Sequence, residues 1–535
     1  MTNATEPMLP TNWAIACVDD ILTDGLSNGR SVRTAKEGFP VLRLTALKNG
    51  RIDLSERKVG EWTRATAEPY LVKRGDFFIA RGNGSIRLVG RGGLLDVEPD
   101  PVAYPDTLIR ARPHEEVIAP KYFAFVWDSY DLRLQIEKRA KTTAGIYKVN
   151  QKDIGACKFP VPPLPEQRRI VEAIETNFTK LDAAEATLKR IQANLKRYRA
   201  SVLKAAVEGT LVPTEAALAR QDSRDYEPAN QLLERILTER RRRWEESELA
   251  KLKAKGKAPK NDKWKRKYKE PTPPDTTNLP DLPEGWCWVC VDQLVWEIGQ
   301  GWSPKCEGHP SVDDNSWGVM KTSAVQHMRF DEVENKQLPK SKQPRPGLEL
   351  VPGDLLITRA GPRNRVGVCC LVKKTRPRLM LCDKVYRLRL PADTFDPRLL
   401  ELILNAPPIL DEIGRLKTGI SDSGVNLTQK RFRDIAIPLP PLGEQSRIIA
   451  AVEHSWSIAV VSEDQIAKAT LRIYALRQSI LKQAFEGKLA PQDPNDEPAA
   501  VLLERITSER EAMQAKQKKT RRPRKKTARK KSRKS

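Results

Sequence analysis

Two stretches of this chain carry residue types that could read nucleic-acid bases: Arg81-Gly82-Asn83-Gly84-Ser85-Ile86-Arg87 and Arg359-Ala360-Gly361-Pro362-Arg363-Asn364-Arg365. A guanidinium can donate two parallel hydrogen bonds to guanine, and an Asn carboxamide can pair bidentately with adenine. The glycines would let the main chain approach phosphate. Arg81, Asn83, Ser85 and Arg87, with Arg359, Arg363, Asn364 and Arg365, are therefore the first candidates for contact with DNA; the alternative is a pair of solvated turns whose arginines bind carboxylates. A second pair runs Lys141-Thr142-Thr143-Ala144-Gly145-Ile146-Tyr147-Lys148 and Lys417-Thr418-Gly419-Ile420-Ser421. Its ammonium, hydroxyl and glycine combination suits phosphate, with Lys141, Thr143, Lys148, Lys417 and Ser421 as candidates, or else it is a plain connecting loop. Arg43 and Lys321, at the ends of two predicted strands, form a third and weaker pair.

Catalytic signatures are missing. Gly419-Ile420-Ser421-Asp422-Ser423-Gly424 has P-loop glycine spacing but continues Val425-Asn426 where Lys and Ser/Thr are required. Gly82-Asn83-Gly84 reaches Arg87 where a dinucleotide fingerprint has its third glycine. No Asp/Asn-Pro-Pro-aromatic motif occurs. Cys287-x-x-Cys290 lacks a second pair at ligand spacing, so Trp286 to Val291 reads as alternating strand residues and not as a zinc site. These residues could recognise; nothing among them could catalyse.

The elements that must hold the loops come in two copies. Short β-like runs, Phe39 to Leu44, Asp76 to Ala80, Leu355 to Thr358 and Val385 to Leu390, predict two α/β domains with binding loops. Leu9-Pro10…Trp13 is echoed by Leu282-Pro283…Trp286, and Gly75-Asp76…Arg81 by Gly353-Asp354…Arg359. Each domain leads into a repeated module. Phe159 to Pro213 contains PLPEQRRI and closes EGTLVP, while Ile437 to Pro491 contains PLGEQSRI and closes EGKLAP. A repeat this long means two copies of one architectural unit.

Inside the modules apolar residues recur every seven positions: Ile174, Leu181, Leu188, Leu195 and Val202, with Ala184, Ile191, Tyr198 and Ala205 as a companion line. The second copy gives Val452, Ala459, Ile466, Ile473 and Ile480. Heptad spacing predicts two long coiled-coil helices stopped at Gly209 and Gly487, packed antiparallel with a pseudo-twofold relation. Shorter amphipathic segments, Glu227 to Ile236 and Glu497 to Ile506, are expected to dock a partner present in two copies.

The formal charge is +25 over 535 residues, which favours a polyanionic partner. Residues 516 to 535 hold thirteen Lys or Arg and no acid, and read as a disordered tail. Arg240 to Arg243 and Lys251 to Lys269 form a second basic stretch before the Pro-rich Glu270 to Pro274. There is no run of about 18 apolar residues and no secretory signal, which predicts a cytoplasmic chain without a membrane span.

The paired PLPPLxEQxRI-like motifs at Pro160 to Ile170 and Pro438 to Ile448, with their long helices and EGxLxP closures, resemble the DNA specificity subunit of bacterial type I restriction-modification systems. The resemblance implies two target-recognition domains (1–159 and 282–437), two helical spacer modules (160–250 and 438–515), a basic linker (251–281) and a basic tail (516–535). It further implies a bipartite, asymmetric site on double-stranded DNA. Two modification subunits would bind S-adenosylmethionine and methylate adenine, and restriction subunits would use ATP and Mg; this chain itself would bind no cofactor. The long basic connector departs from the family pattern. Two other readings stay open, a coiled-coil interaction scaffold with nonspecific DNA affinity and a fused restriction-methylation enzyme, the second weakened by the missing motifs.

Overall fold

The computed structural model describes residues 9–520 apart from 144, 257–258, 260, 391–393 and 420–421. By internal contacts the chain divides into two compact units, Met1–Lys189 with Ala467–Ser535, and Arg190–Ile466. Each unit joins one variable domain to the start of one repeated module and the end of the other.

The first unit is built on a six-stranded sheet in the order Leu22–Asn28, Leu108–Pro113, Phe77–Ala80, Gly92–Leu94, Arg51–Ile52, Leu47–Lys48. Side chains alternate across the pleat. Phe77 and Ile79 join Phe123 and Trp127 of the helix Pro120–Trp127 in one core, whereas Phe78 and Leu108 face a second cluster with Leu42 and Tyr104. Burial on both faces explains why Phe77–Ala80 is apolar throughout. The second unit has the same device in a four-stranded antiparallel sheet ordered Glu297–Gln300, Val385–Arg389, Leu355–Thr358, Cys369–Leu371. Leu355 and Ile357 face one core, Leu356 and Cys370 the other. Cys287–Cys290 is a strand, as its alternation predicts, paired with Ala436–Leu439; Ala14–Cys17 pairs equivalently with Lys158–Val161.

These last pairs feed the long helices, α1 (Leu164–Val207) and, in the second copy, a helix of equal length, 44 residues each or roughly 66 Å at 1.5 Å per residue. Between them in sequence lies α2 (Ala229–Ala254); the second long helix is α3 (Leu442–Phe485), and α4 (Ala499–Thr520) follows it. Within each unit the α1 and α3 segments run antiparallel. In the first, Arg477 of α3 pairs with Asp182 and Glu185 of α1 and lies 5.1 Å from the Phe178 ring, while Arg169 reaches Pro491 and Asp496. In the second, Arg199 pairs with Glu463 at 2.7 Å and lies over Trp456, while Arg447 reaches Pro213 and Glu215. Ile174, Val202, Val452, Ala459 and Ile473 are buried; Leu181, Leu188, Leu195, Ile466 and Ile480 are half-buried.

The companion line is a correction. Ile191 and Tyr198 remain 40% and 43% exposed, and Ala184 is exposed as well. A two-helix ribbon has one seam, and residues beside that seam face solvent unless a third element covers them.

The repeated EQxRI and EGxLxP motifs form a clamp. Glu166 and Glu444 are fully buried. Burial raises the pKa of both carboxyls, offset in part at Glu444 by the Glu215 N–H, which donates to it at 2.9 Å. Gln167 accepts from the Ala119 N–H and donates to the Val117 and Pro162 carbonyls; Gln445 donates to Pro440. Arg169 donates to the Pro491 carbonyl at 3.1 Å and pairs with Asp496 at 2.6 Å, and Arg447 donates to Pro213 at 3.3 Å and pairs with Glu215 at 2.7 Å. The start of each long helix thus grips the end of the other. Gly209 and Gly487 close the helices at φ +68° and +72°, where a Cβ would lie 2.4 Å from Pro283 and 2.5 Å from Pro10. Only glycine combines that left-handed conformation with so close a neighbour.

The shorter amphipathic helices also depart from expectation. Leu232 and Ile236 of α2, and Leu502 and Ile506 of α4, are buried in the cores of their own units. Their apolar stripes are occupied and do not form the anticipated docking faces. The stretch 251–281 opens as the last turn of α2 and contains a 3-10 segment, Asp262–Lys267, so part of the expected linker is regular structure. Residues 516–520 belong to α4; 521–535 lie outside the described residues.

Candidate nucleic-acid interface

In each unit the structure brings together the first and second candidate segments. Past the strand Phe77–Ala80, Gly82–Asn83 pairs with Ile146–Lys148, which pairs in turn with Lys141–Thr143. Past Leu355–Thr358, Ala360–Gly361 pairs with Val425–Asn426, and Thr418 and Asn426 exchange backbone hydrogen bonds. Equivalent bonds hold both junctions: the Val149 N–H donates to the Arg81 carbonyl at 3.0 Å, and the Leu427 N–H donates to that of Arg359 at 2.7 Å. Both arginine side chains donate to an aspartate's backbone carbonyl, Arg81 to Asp106 at 3.4 Å and Arg359 to Asp383 at 2.8 Å. The frames correspond residue for residue.

Their contents differ. In the first unit Asn83 accepts from the Ser85 N–H at 3.1 Å, which leaves its amide NH2 unengaged among the described residues. Arg87, Lys141 and Lys148 are exposed, with no ion pair among the described residues. The side chain of Thr143 lies outside the described residues. In the second unit Arg363 pairs with Asp422 at 2.8 Å, and Lys417 donates to the Arg363 carbonyl at 3.0 Å. Burial, then Arg363, lowers the Lys417 ammonium pKa. Arg365 donates to the carbonyls of Thr322 and Val325, both at 3.0 Å, and so braces the loop against the third candidate segment. Lys321 in that segment pairs with Glu334 at 3.5 Å. Asn364 is exposed, and Ser421 lies outside the described residues.

Arg43 precedes the turn Leu44–Ala46 and takes no hydrogen bond or ion pair from the Arg81–Arg87 loop among the described residues. Conversely, the structure adds a segment that no motif announces. Trp302 follows the strand Glu297–Gln300 and lies 4.2 Å from the Arg345 guanidinium, and Ser303 hydrogen-bonds Asp383 beside Arg359. In the first unit Arg30 follows Gly29, whose N–H donates to Leu108. Gly29 and Gly301, each just past a domain's first sheet strand, were the available signal.

Among the described residues no cluster of three or more His, Cys, Asp or Glu could hold a metal, and no helix is long and apolar enough to cross a membrane.

The model of the type I restriction modification DNA specificity domain matches residues 10–195. The type I restriction enzyme EcoEI specificity subunit of Escherichia coli is 36% identical over 289 residues, 54% of this chain and 44% of that one. The match thus spans less than half of that relative's length. The EcoKI specificity subunit of Escherichia coli K12 is 27% identical over 528 residues, 94% of this chain and 97% of its own. A solved chain from work on complex assembly and conformational transition of the type I R-M system superposes with a TM-score of 0.56 at 18% identity, covering 90% of this chain and 99% of that one. At that identity the likeness concerns the fold.

Proposed function

We infer that this chain belongs with the type I restriction specificity subunits it resembles and is the component that selects DNA sequence for catalytic partners. The observation that carries this is the equivalence of two frames presenting dissimilar loops, Arg81–Arg87 beside Lys141–Lys148 and Arg359–Arg365 beside Lys417–Asn426. Different base-reading side chains on equivalent frames should read different bases. The site is therefore bipartite and asymmetric, one half for the domain 1–159 and one for 282–437. α1 and α3 are the segments that pass between the units, and their lengths set the gap between half-sites.

Catalysis belongs to others. Two modification subunits carrying S-adenosylmethionine methylate adenine, and restriction subunits using ATP and Mg cleave, while this chain binds no cofactor and transfers no group. The assembly works in the bacterial cytoplasm, where its DNA is. The test is co-expression with the modification subunit and mapping of N6-methyladenine across host DNA. One bipartite, asymmetric methylated motif that vanishes on deletion of this chain supports the reading; a contiguous motif, or methylation that persists, overturns it.

A further inference from the structure

The basic stretch Arg240 to Lys269 is used by none of the recognition loops, although it holds fourteen Lys or Arg against four Asp or Glu. Its first turns are firmly held. Leu232 and Ile236 are buried, and Arg240 pairs with Asp292 at 3.3 Å, which Arg433 also meets. Beyond this anchor the chain doubles back: Trp244 of α2 stacks on Trp264 with ring centroids 6.1 Å apart and meets Tyr268 at 5.2 Å. Arg243 lies 3.7 Å over Trp296, and Arg240 and Arg241 lie over Tyr268. The rings hold two basic segments side by side.

Its charges fall into two classes. Arg241 pairs with Glu245 and Glu270, Arg242 with Glu239 and Glu246, and Arg243 with Glu239. Arg242 and then Arg243 hold the Glu239 carboxyl down at about 2. Lys253, Lys255, Lys263, Arg266, Lys267 and Lys269 are exposed, and none is ion-paired among the described residues. Six exposed cations without an ion pair among the described residues offer a polyanion charge to neutralise, and its binding would release its own counterions.

The second repeat repeats the pattern. Arg510 of α4 donates to the Asp19 carbonyl at 3.0 Å, the counterpart of Arg240 at Asp292, and past it the sequence again becomes basic from Lys516.

We propose that the paired basic segments Arg240–Gly256 and Asn261–Lys269 grip duplex DNA by its phosphates, without reading bases and outside both recognition domains. This rests on the DNA-binding function inferred above. In the complex with modification subunits, Lys253, Lys255, Lys263, Arg266, Lys267 and Lys269 are changed together to Gln, and affinity for duplexes with and without the methylated motif is measured across a salt series. Affinity for the motif-free duplex is expected to fall roughly tenfold or more, and the slope of log affinity against log salt to weaken by about 3 to 5, at about 0.9 per phosphate contact. The methylated motif stays the same. A set retaining charge, Lys→Arg at the five lysines, keeps the wild-type slope, and the triple K263Q/R266Q/K267Q loses about half of the change. An unchanged slope on duplex DNA overturns the proposal. So does an effect confined to an RNA competitor, or loss of subunit assembly with the slope retained, which would assign the lysines to RNA or to an acidic protein surface. Failure of the specificity function is a separate result, since the wild-type complex would then leave no methylated motif.

Discussion

The loops Arg81–Arg87 and Arg359–Arg365 leave equivalent strands, pair with equivalent neighbours and hold their first arginine against an aspartate's carbonyl, yet they employ their remaining cations in opposite ways. In the first, Arg87 and the nearby Lys141 and Lys148 are unpaired among the described residues. In the second, Arg363 is matched by Asp422 and Arg365 is consumed in bracing Thr322 and Val325. Residue type therefore does not settle whether an arginine reads a ligand or supports its own loop. For Arg363 the deciding partner stands 59 residues further on.

The comparison is sharpest where the units agree, at the clamps, and the largest effects are expected there. Arg169→Ala removes the ion pair of Asp496, whose side chain is only 9% exposed, and should cost about 3 kcal/mol in denaturant unfolding of the full chain. Arg447→Ala leaves Glu215 still paired with Arg224 and should cost clearly less, so equal losses would mean that Arg224 does not share the second clamp. The Glu215 carboxyl is pushed up by burial, but its bonds to Arg224 and Arg447 outweigh this and hold it below 4.5. Its stabilising effect is present above pH 4.5 and is lost as pH falls through the depressed folded value. Glu215→Gln should accordingly be most destabilising near neutrality, and its difference from wild type should narrow in acid.

The loops should then separate the units. Arg365→Ala removes a guanidinium from two carbonyls and should lower stability by about 1 to 2 kcal/mol, with altered methylation at one half-site only. Arg87→Ala should leave stability within about 0.5 kcal/mol and weaken specific binding by about 1 to 3 kcal/mol, relaxing the other half-site. Equal stability losses would erase the distinction between reader and brace. The smallest effect is expected from Asp422→Asn, which frees Arg363 from an exposed ion pair: stability changes by less than about 1 kcal/mol. Affinity for motif-free duplex should rise, and its salt slope steepen by about 0.9.

Much of the frame was legible because it is written in local pattern. The alternation in Cys287–Cys290, the apolar run Phe77–Ala80, the heptads of α1 and α3 and the stops at Gly209 and Gly487 each report a regular geometry. The meaning of EQxRI was not legible, since its partners Pro491 and Asp496 lie more than three hundred residues away. The companion line failed for a related reason: periodicity shows that Ile191 and Tyr198 share a side of a helix, but not that another element covers it. Trp302 and Ser303 went unnoticed because their tie to Arg345 and Asp383 is purely tertiary. The sequence suggested both loop pairs, and only folding joins each pair into one surface.

Gly487 meets Pro10 as Gly209 meets Pro283, and the Ala499 N–H donates to the Asn12 carbonyl where that of Ala229 donates to Gly285. The last helix therefore finds the beginning of the chain in the way the earlier one finds the middle. The two junctions are thus equivalent, and the contacts that close one also close the other. A gene opened instead within the proline-rich segment near Pro273, with its old ends joined, would specify the same clamps in the same order, and so would two halves made separately.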